Sequence, residues 1–211
     1  SILVKIFAIS FCHLSPLCNI LSKLFHQKGE NMSIVEPIRL KTDLKKVECI
    51  LKNESYRNYI LFKLGINFGL RISDLLRLKV EDVKGKNHVQ IIEKKTKKKR
   101  CIPVNLELKK LINLYVKSKN PNDALFAGSN MKPLSRISAY RIISNACKKA
   151  NIEGNFGTHT LRKTFGYHFY KKFKDIVMLQ KILNHSNPDV TLRYIGIDQD
   201  EIYKTYSMFV L

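Results

Sequence analysis

From Thr42 to Phe209 the apolar residues recur at three- and four-residue intervals, and one stretch breaks that helical period. This pattern excludes an all-β sandwich or barrel, which needs many short alternating strands. The break lies between His88 and Val104. Two β-type runs, His88–Ile92 and Cys101–Val104, flank the basic tract KKTKKKR there, which reads as a hairpin or a three-stranded sheet. Helices are expected over about 42–52 (capped by Thr42-Asp43), 53–68 (stopped by Gly69), 73–78, 106–118, 135–150, 158–172, 175–183, 188–193 and 199–209. No internal repeat or long linker appears. The expected fold is one mainly α domain with a small antiparallel β-sheet, an α+β architecture.

Charge narrows what such a domain touches. Thirty-eight Lys and Arg against seventeen Asp and Glu leave +21 over 211 residues. The usual counterpart of such an excess is a polyanion, nucleic acid or an anionic membrane surface. Twenty-nine of the cations are Lys and nine are Arg, so each Arg is worth individual inspection. The five cysteines are scattered with no Cys-x-x-Cys, and the six histidines form no His-Glu-x-x-His. A disulfide framework is therefore not expected, a reducing cytosol is, and no metal site or cofactor is read from the sequence.

Residues 1–31 differ from the rest. Their apolar run is interrupted by His13, Pro16 and Asn19 before it reaches the about 18–20 clean residues of a membrane span, and it lacks a signal-peptide cleavage site. Lys28-Gly29-Glu30 can be encoded by a bacterial ribosome-binding sequence, and Met32 follows. The segment is thus expected to be translated upstream sequence, the alternative being a genuine apolar N-terminal helix. It carries three lysines and one glutamate, so residues 32–211 retain +19 and the charge argument holds without it.

Four local patterns could carry chemistry. Arg71 opens GLRISDLL, just after a Gly stop, with Asp74 three residues on. Lys95 sits in the basic hairpin. His159 and Arg162, in THTLRKTF, share one helix face at i,i+3. His185, in LNHSNPDVTLRY, precedes Tyr194 by nine residues. Taken singly, each has a plainer reading: a surface Arg paired with Asp74, solvated hairpin lysines, a packed histidine, one tyrosine among nine.

In this order and at these spacings, the residues resemble the tyrosine recombinase (phage integrase) family over roughly residues 36–211. The resemblance implies the family's catalytic-domain fold and a site of Arg71, Lys95, His159, Arg162, His185 and Tyr194. Lys95 is picked from its neighbours by counting back from Arg100-Cys101-Ile102-Pro103. It implies a site-specific recombinase that cleaves and rejoins double-stranded DNA through a 3′-phosphotyrosyl link, without metal or cofactor. Tyr194 would be the nucleophile, His159 its proton acceptor and Lys95 the general acid. Arg71, Arg162 and His185 would bind the phosphate, and Asp74 would orient the cations. Lys94, Lys97, Lys98, Lys99 and Arg100 would contact DNA.

The apolar stripe Ile202, Tyr203, Tyr206 and Phe209 is either packed on its own core or, as the resemblance implies, donated to a neighbour in a homo-tetramer on DNA. The expected setting is the cytoplasm of a bacterium or phage host, with no membrane partner. Many family members carry a core-binding domain before the catalytic one, and no full core-binding domain is expected in residues 1–211. A non-catalytic DNA-binding remnant therefore stays open, as does a type IB topoisomerase or resolvase sharing the site.

Overall fold

The computed structural model of the chain describes residues 35–197 and 207–209. The segment 1–31 lies outside the described residues, as does the helix expected near 199–209 apart from its last three positions.

Helix α1 (Lys41–Glu54) begins at Leu40, so Thr42 and Asp43 occupy its first turn rather than capping it. Asp43 still favours that end, since a carboxylate in the first turn meets the positive pole of the helix dipole. Ser55, in an extended conformation, separates α1 from α2 (Tyr56–Phe68), two residues beyond the expected break. Most of α2 is buried, and it forms the centre of the domain by packing on α1, α5 and α7. It ends at Gly69, whose φ of 58° is left-handed. Any Cβ there would also lie 2.5 Å from the Phe165 ring, so glycine is required twice over.

Two single-turn helices follow, α3 (Ile72–Leu75) and α4 (Val80–Val83). The first is shorter than the expected 73–78, and the second escaped the periodicity because one turn carries too few residues to show a period. Strands β1 (His88–Ile92) and β2 (Lys99–Pro103) pair antiparallel, with Val89 opposite Ile102 and Ile92 opposite Lys99. Among the described residues the sheet has these two strands and no third. β2 starts two residues earlier than expected, inside the basic tract, because the turn is tight. Lys97 adopts a left-handed φ of 59° and its N–H bonds the Glu93 carbonyl at 2.9 Å, which brings Lys99 into register.

The remaining helices are α5 (Leu106–Tyr115), α6 (Arg136–Lys149), α7 (Thr158–Phe173), α8 (Ile176–Leu183) and α9 (Pro188–Ile195). α5 stops three residues short of the expected 118. Side chains of Asn105, Ser135, Asp175 and Asn187 accept backbone N–H bonds at the starts of α5, α6, α8 and α9. The main core, built on Phe62, Phe68 and Phe126, spans α1 to α7. A smaller cluster of Leu179, Leu183, Ile195 and Ile197 joins α8 and α9 to α7. Gly166 on α7 permits that contact, because a Cβ would stand 2.6 Å from Ile195 Cγ2.

Candidate active site

Gly69 turns the chain out of α2, leaving Arg71 extended at the cap of α3, with its carbonyl accepting the Asp74 and Leu75 N–H groups. His159 and Arg162 occupy the first turns of α7. His185 follows the left-handed residue Asn184 that ends α8, and its backbone is pinned at both ends by Gln180. Tyr194 lies in the last turn of α9. Four separate elements therefore converge.

Arg162 is the hub. It is 3% exposed, and it donates from Nη1 to the Gly69 carbonyl (2.7 Å) and from Nη2 to the Leu183 carbonyl (2.5 Å). Those carbonyls belong to the ends of α2 and α8, the negative poles that favour a cation. Burial, with Arg71 and Arg100 nearby, lowers its pKa to about 10, partly offset by Tyr194 and Glu93, so it remains charged at neutral pH.

Tyr194 is half-buried, and burial raises the pKa of its hydroxyl. The positive charges of Arg162 and Arg71 act in the opposite direction. The His185 ring packs edge-on against Tyr194, with centroids 5.0 Å apart, and Lys163 Nζ lies 5.2 Å from the tyrosine ring centre. His185 Nδ1 is 3.0 Å from Thr191 Oγ1, whose own hydroxyl is directed to the Asn187 carbonyl at 3.3 Å. That pairing assigns the proton to Nδ1. Burial, then Arg162 and Arg71, push the His185 pKa down to about 4, leaving it neutral in the free protein.

His159 is exposed and faces a cleft of about 500 Å³ that it lines with Arg71, Lys95 and Arg136. Burial on its protein side and the charges of Arg162, Lys163 and Arg71 lower its pKa, which keeps a lone pair available at neutral pH. Lys95 is exposed at the hairpin turn on the same cleft. Lys94, Lys97, Lys98 and Lys99 are exposed too, and Lys98 Nζ reaches Asn184 Oδ1 at 2.8 Å beside His185.

Two of the expected residues are held within the protein. Arg100, expected to contact DNA, is half-buried and bonded to Glu93 Oε1 (3.3 Å) and the Phe68 carbonyl (3.5 Å). Asp74 does not hold Arg71. Its Oδ1 accepts the Lys94 N–H at 2.8 Å and lies 3.9 Å from Arg77, while its buried Oδ2 has no hydrogen-bond partner among the described residues. The carboxylate on Arg71 is Glu93, 2.8 Å from Arg71 Nη1. The sequence reading missed Glu93, although a lone acid ending an apolar strand within a basic tract is a visible signal. It also missed Lys163, Thr191 and Arg136, which carry no such mark.

The phage integrase family model matches residues 41–201. The chain belongs to the tyrosine recombinase (phage integrase) family. Among family members, the probable integrase/recombinase YoeC of Bacillus subtilis is 50% identical over 179 residues, covering 84% of this chain and 98% of that protein. Tyrosine recombinase XerD of Staphylococcus epidermidis is 29% identical over 167 residues, 76% of this chain and 57% of the relative. The chain thus spans nearly all of one such recombinase and little more than half of the other. The fold is that of XerA recombinase (TM-score 0.68, 22% identity, 86% of this chain and 66% of that one). It is also that of XerH site-specific recombinase bound to palindromic difH substrate in a post-cleavage complex (TM-score 0.64, 20% identity, 87% and 55%). The expected family and fold class are both met.

Proposed function

We propose that this recombinase cleaves and rejoins double-stranded DNA at specific sites through a 3′-phosphotyrosyl intermediate. The observation that carries the reading is the half-buried Tyr194 with the His185 ring edge-on at 5.0 Å, in the positive field of Arg162 and Arg71.

The Tyr194 oxygen attacks the scissile phosphorus as its proton passes to His159. The new O–P bond replaces the bond to the 5′-oxygen, and Lys95 protonates that leaving oxygen. Rejoining runs the steps in reverse with a 5′-hydroxyl as nucleophile, so bond energy is conserved and no ATP is consumed. Negative charge grows on the non-bridging oxygens in the transition state. Arg71 and Arg162 meet it with fixed guanidinium forks, which suit two oxygens better than a lysine does. His185, neutral when free, takes up a proton beside the phosphate and donates from Nε2. These fixed charges supply the electrostatic stabilisation that a metal supplies elsewhere.

The exposed lysines of the hairpin contact the DNA backbone. Assembly as a tetramer through about 199–209, and a cytoplasmic setting, belong to the same proposal. No helix among the described residues is long and apolar enough to cross a membrane.

The test is Tyr194→Phe on a nicked suicide substrate. It should abolish the covalent protein–DNA adduct and leave DNA binding intact, since only the nucleophilic oxygen is lost. Adduct formation by the parent protein should withstand EDTA. Adducts in the variant would move the nucleophile, and strict Mg²⁺ dependence would overturn the mechanism.

A further inference from the structure

Glu93 has no role in the chemistry above, yet it is fully buried at the mouth of the site. A carboxylate is retained in such a place only when it is paired and hydrogen-bonded. Its Oε2 accepts from Arg71 Nη1 (2.8 Å) and from Thr96 Oγ1 (2.6 Å), and its Oε1 accepts from Arg100 Nη1 (3.3 Å). Its backbone closes the turn that carries Lys95, through Glu93 N–H to the Lys98 carbonyl (3.0 Å) and Lys97 N–H to the Glu93 carbonyl (2.9 Å). One oxygen therefore binds both Arg71 and the residue adjoining Lys95.

We propose that Glu93 is a positioning residue that sets Arg71 and the Lys95 turn in a single register, so that the phosphate-binding fork and the proton donor reach the scissile group together. The inference rests on the roles assigned to Arg71 and Lys95. Glu93 engages one Nη of Arg71, and no other side-chain partner of that guanidinium is found among the described residues, which leaves its outer edge for phosphate. Asp74 supplies a parallel tie, from α3 to the hairpin backbone at Lys94. Arg71 and Lys95 line the same cleft, so a shift of the turn against α3 would separate the two groups. Arg100 offsets the carboxylate on its inner side and holds the strand that follows.

Glu93→Gln and Thr96→Val separate this role from a merely structural one. Single-turnover cleavage is followed on a normal substrate and on one with a 5′-bridging sulfur, whose leaving group needs no proton. Thr96→Val removes the hydroxyl that ties the Glu93 carboxylate to the turn, with a long 3.5 Å contact from the Lys98 N–H, and leaves the two backbone bonds of Glu93 in place. It should slow cleavage of the oxygen substrate by up to about 10²-fold, the order expected for a small misplacement, with DNA affinity unchanged. The sulfur substrate should recover that loss.

Glu93→Gln should lose more, and sulfur should restore only part of it, because the Arg71 share remains. On the sulfur substrate Glu93→Gln should add nothing to Arg71→Lys, as expected of residues acting as a unit. Equal slowing of Thr96→Val on both substrates, or full additivity of Glu93→Gln with Arg71→Lys, would overturn the proposal. Thr96 is half-buried in an otherwise exposed turn, so its variant remains a folded test if Glu93→Gln unfolds. Failure of sulfur to recover Lys95→Gln would instead overturn the general-acid assignment, and the hairpin half of this inference with it. Non-additivity with Arg71→Lys would still decide the other half.

Discussion

Arg162→Lys and Arg71→Lys are the same chemical change at the phosphate both are proposed to bind, yet the structure requires them to differ in stability. Arg162 braces two carbonyls, those of Gly69 and Leu183, from a position 3% exposed. A lysine reaches one of them and leaves a buried acceptor unpaired, at a cost of about 1–3 kcal/mol. In a domain of this size each kcal/mol lowers Tm by about 2–4 °C, so the melt should fall by roughly 2–12 °C. Arg71 makes a single bond to Glu93 from a side chain 20% exposed, and a lysine there still offsets the carboxylate's charge, although no guanidinium fork remains for Glu93 to orient. Its cost should be the smaller of the two, because the buried carboxylate keeps a cation beside it and no backbone acceptor is left unpaired. Cleavage should nonetheless drop comparably in both variants, by on the order of 10²–10³, because each removes a donor to the developing oxyanion. Three measurements suffice: thermal melts, single-turnover adduct formation and a DNA-binding isotherm. Equal melting losses would refute the brace assigned to Arg162. Binding that falls in parallel with cleavage would show that both arginines only hold DNA.

Gly69→Ala forces a left-handed φ on a residue with a Cβ and drives that carbon into Phe165, so about 2–4 kcal/mol of stability should be lost in a urea titration. Acid sensitivity should come in two windows. His185 stays neutral in the folded protein down to about 4, while the unfolded chain takes up its proton near 6.5, so stability is lost as pH falls through that interval, and His185→Gln should remove the effect. Burial raises the Glu93 pKa, but bonds from Thr96 and Arg71 and the charges of Arg71 and Arg100 outweigh it and hold the group at about 2. Its stabilisation is therefore complete above 4.5 and is lost as pH falls toward 2, which urea midpoints at successive pH values would register. DNA binding should weaken steeply with salt, and Lys97→Gln and Lys99→Gln should each flatten the log–log slope by up to about 0.9 if they touch phosphate. An unchanged slope would place those lysines off the DNA.

The helices and the order of the site residues were legible in the sequence because both are written locally. Ser135, Asp175 and Asn187 stand where caps are needed, and the apolar period runs on behind each. Gly69 announced the end of α2 and the turn that aims Arg71. Spacing alone placed His159 and Arg162 on one face of α7. What escaped is non-local. That Arg162 would turn inward to the ends of α2 and α8, that Arg100 would follow it inside, and that Glu93 rather than Asp74 would hold Arg71 are matters of pairing across 93, 32 and 22 residues of chain. A residue's type states what bonds it can make, and its neighbours in sequence state the helix or strand that carries it. Which of those bonds form is decided by burial, because a charge taken out of water must find its partner in whatever element the packed core brings alongside.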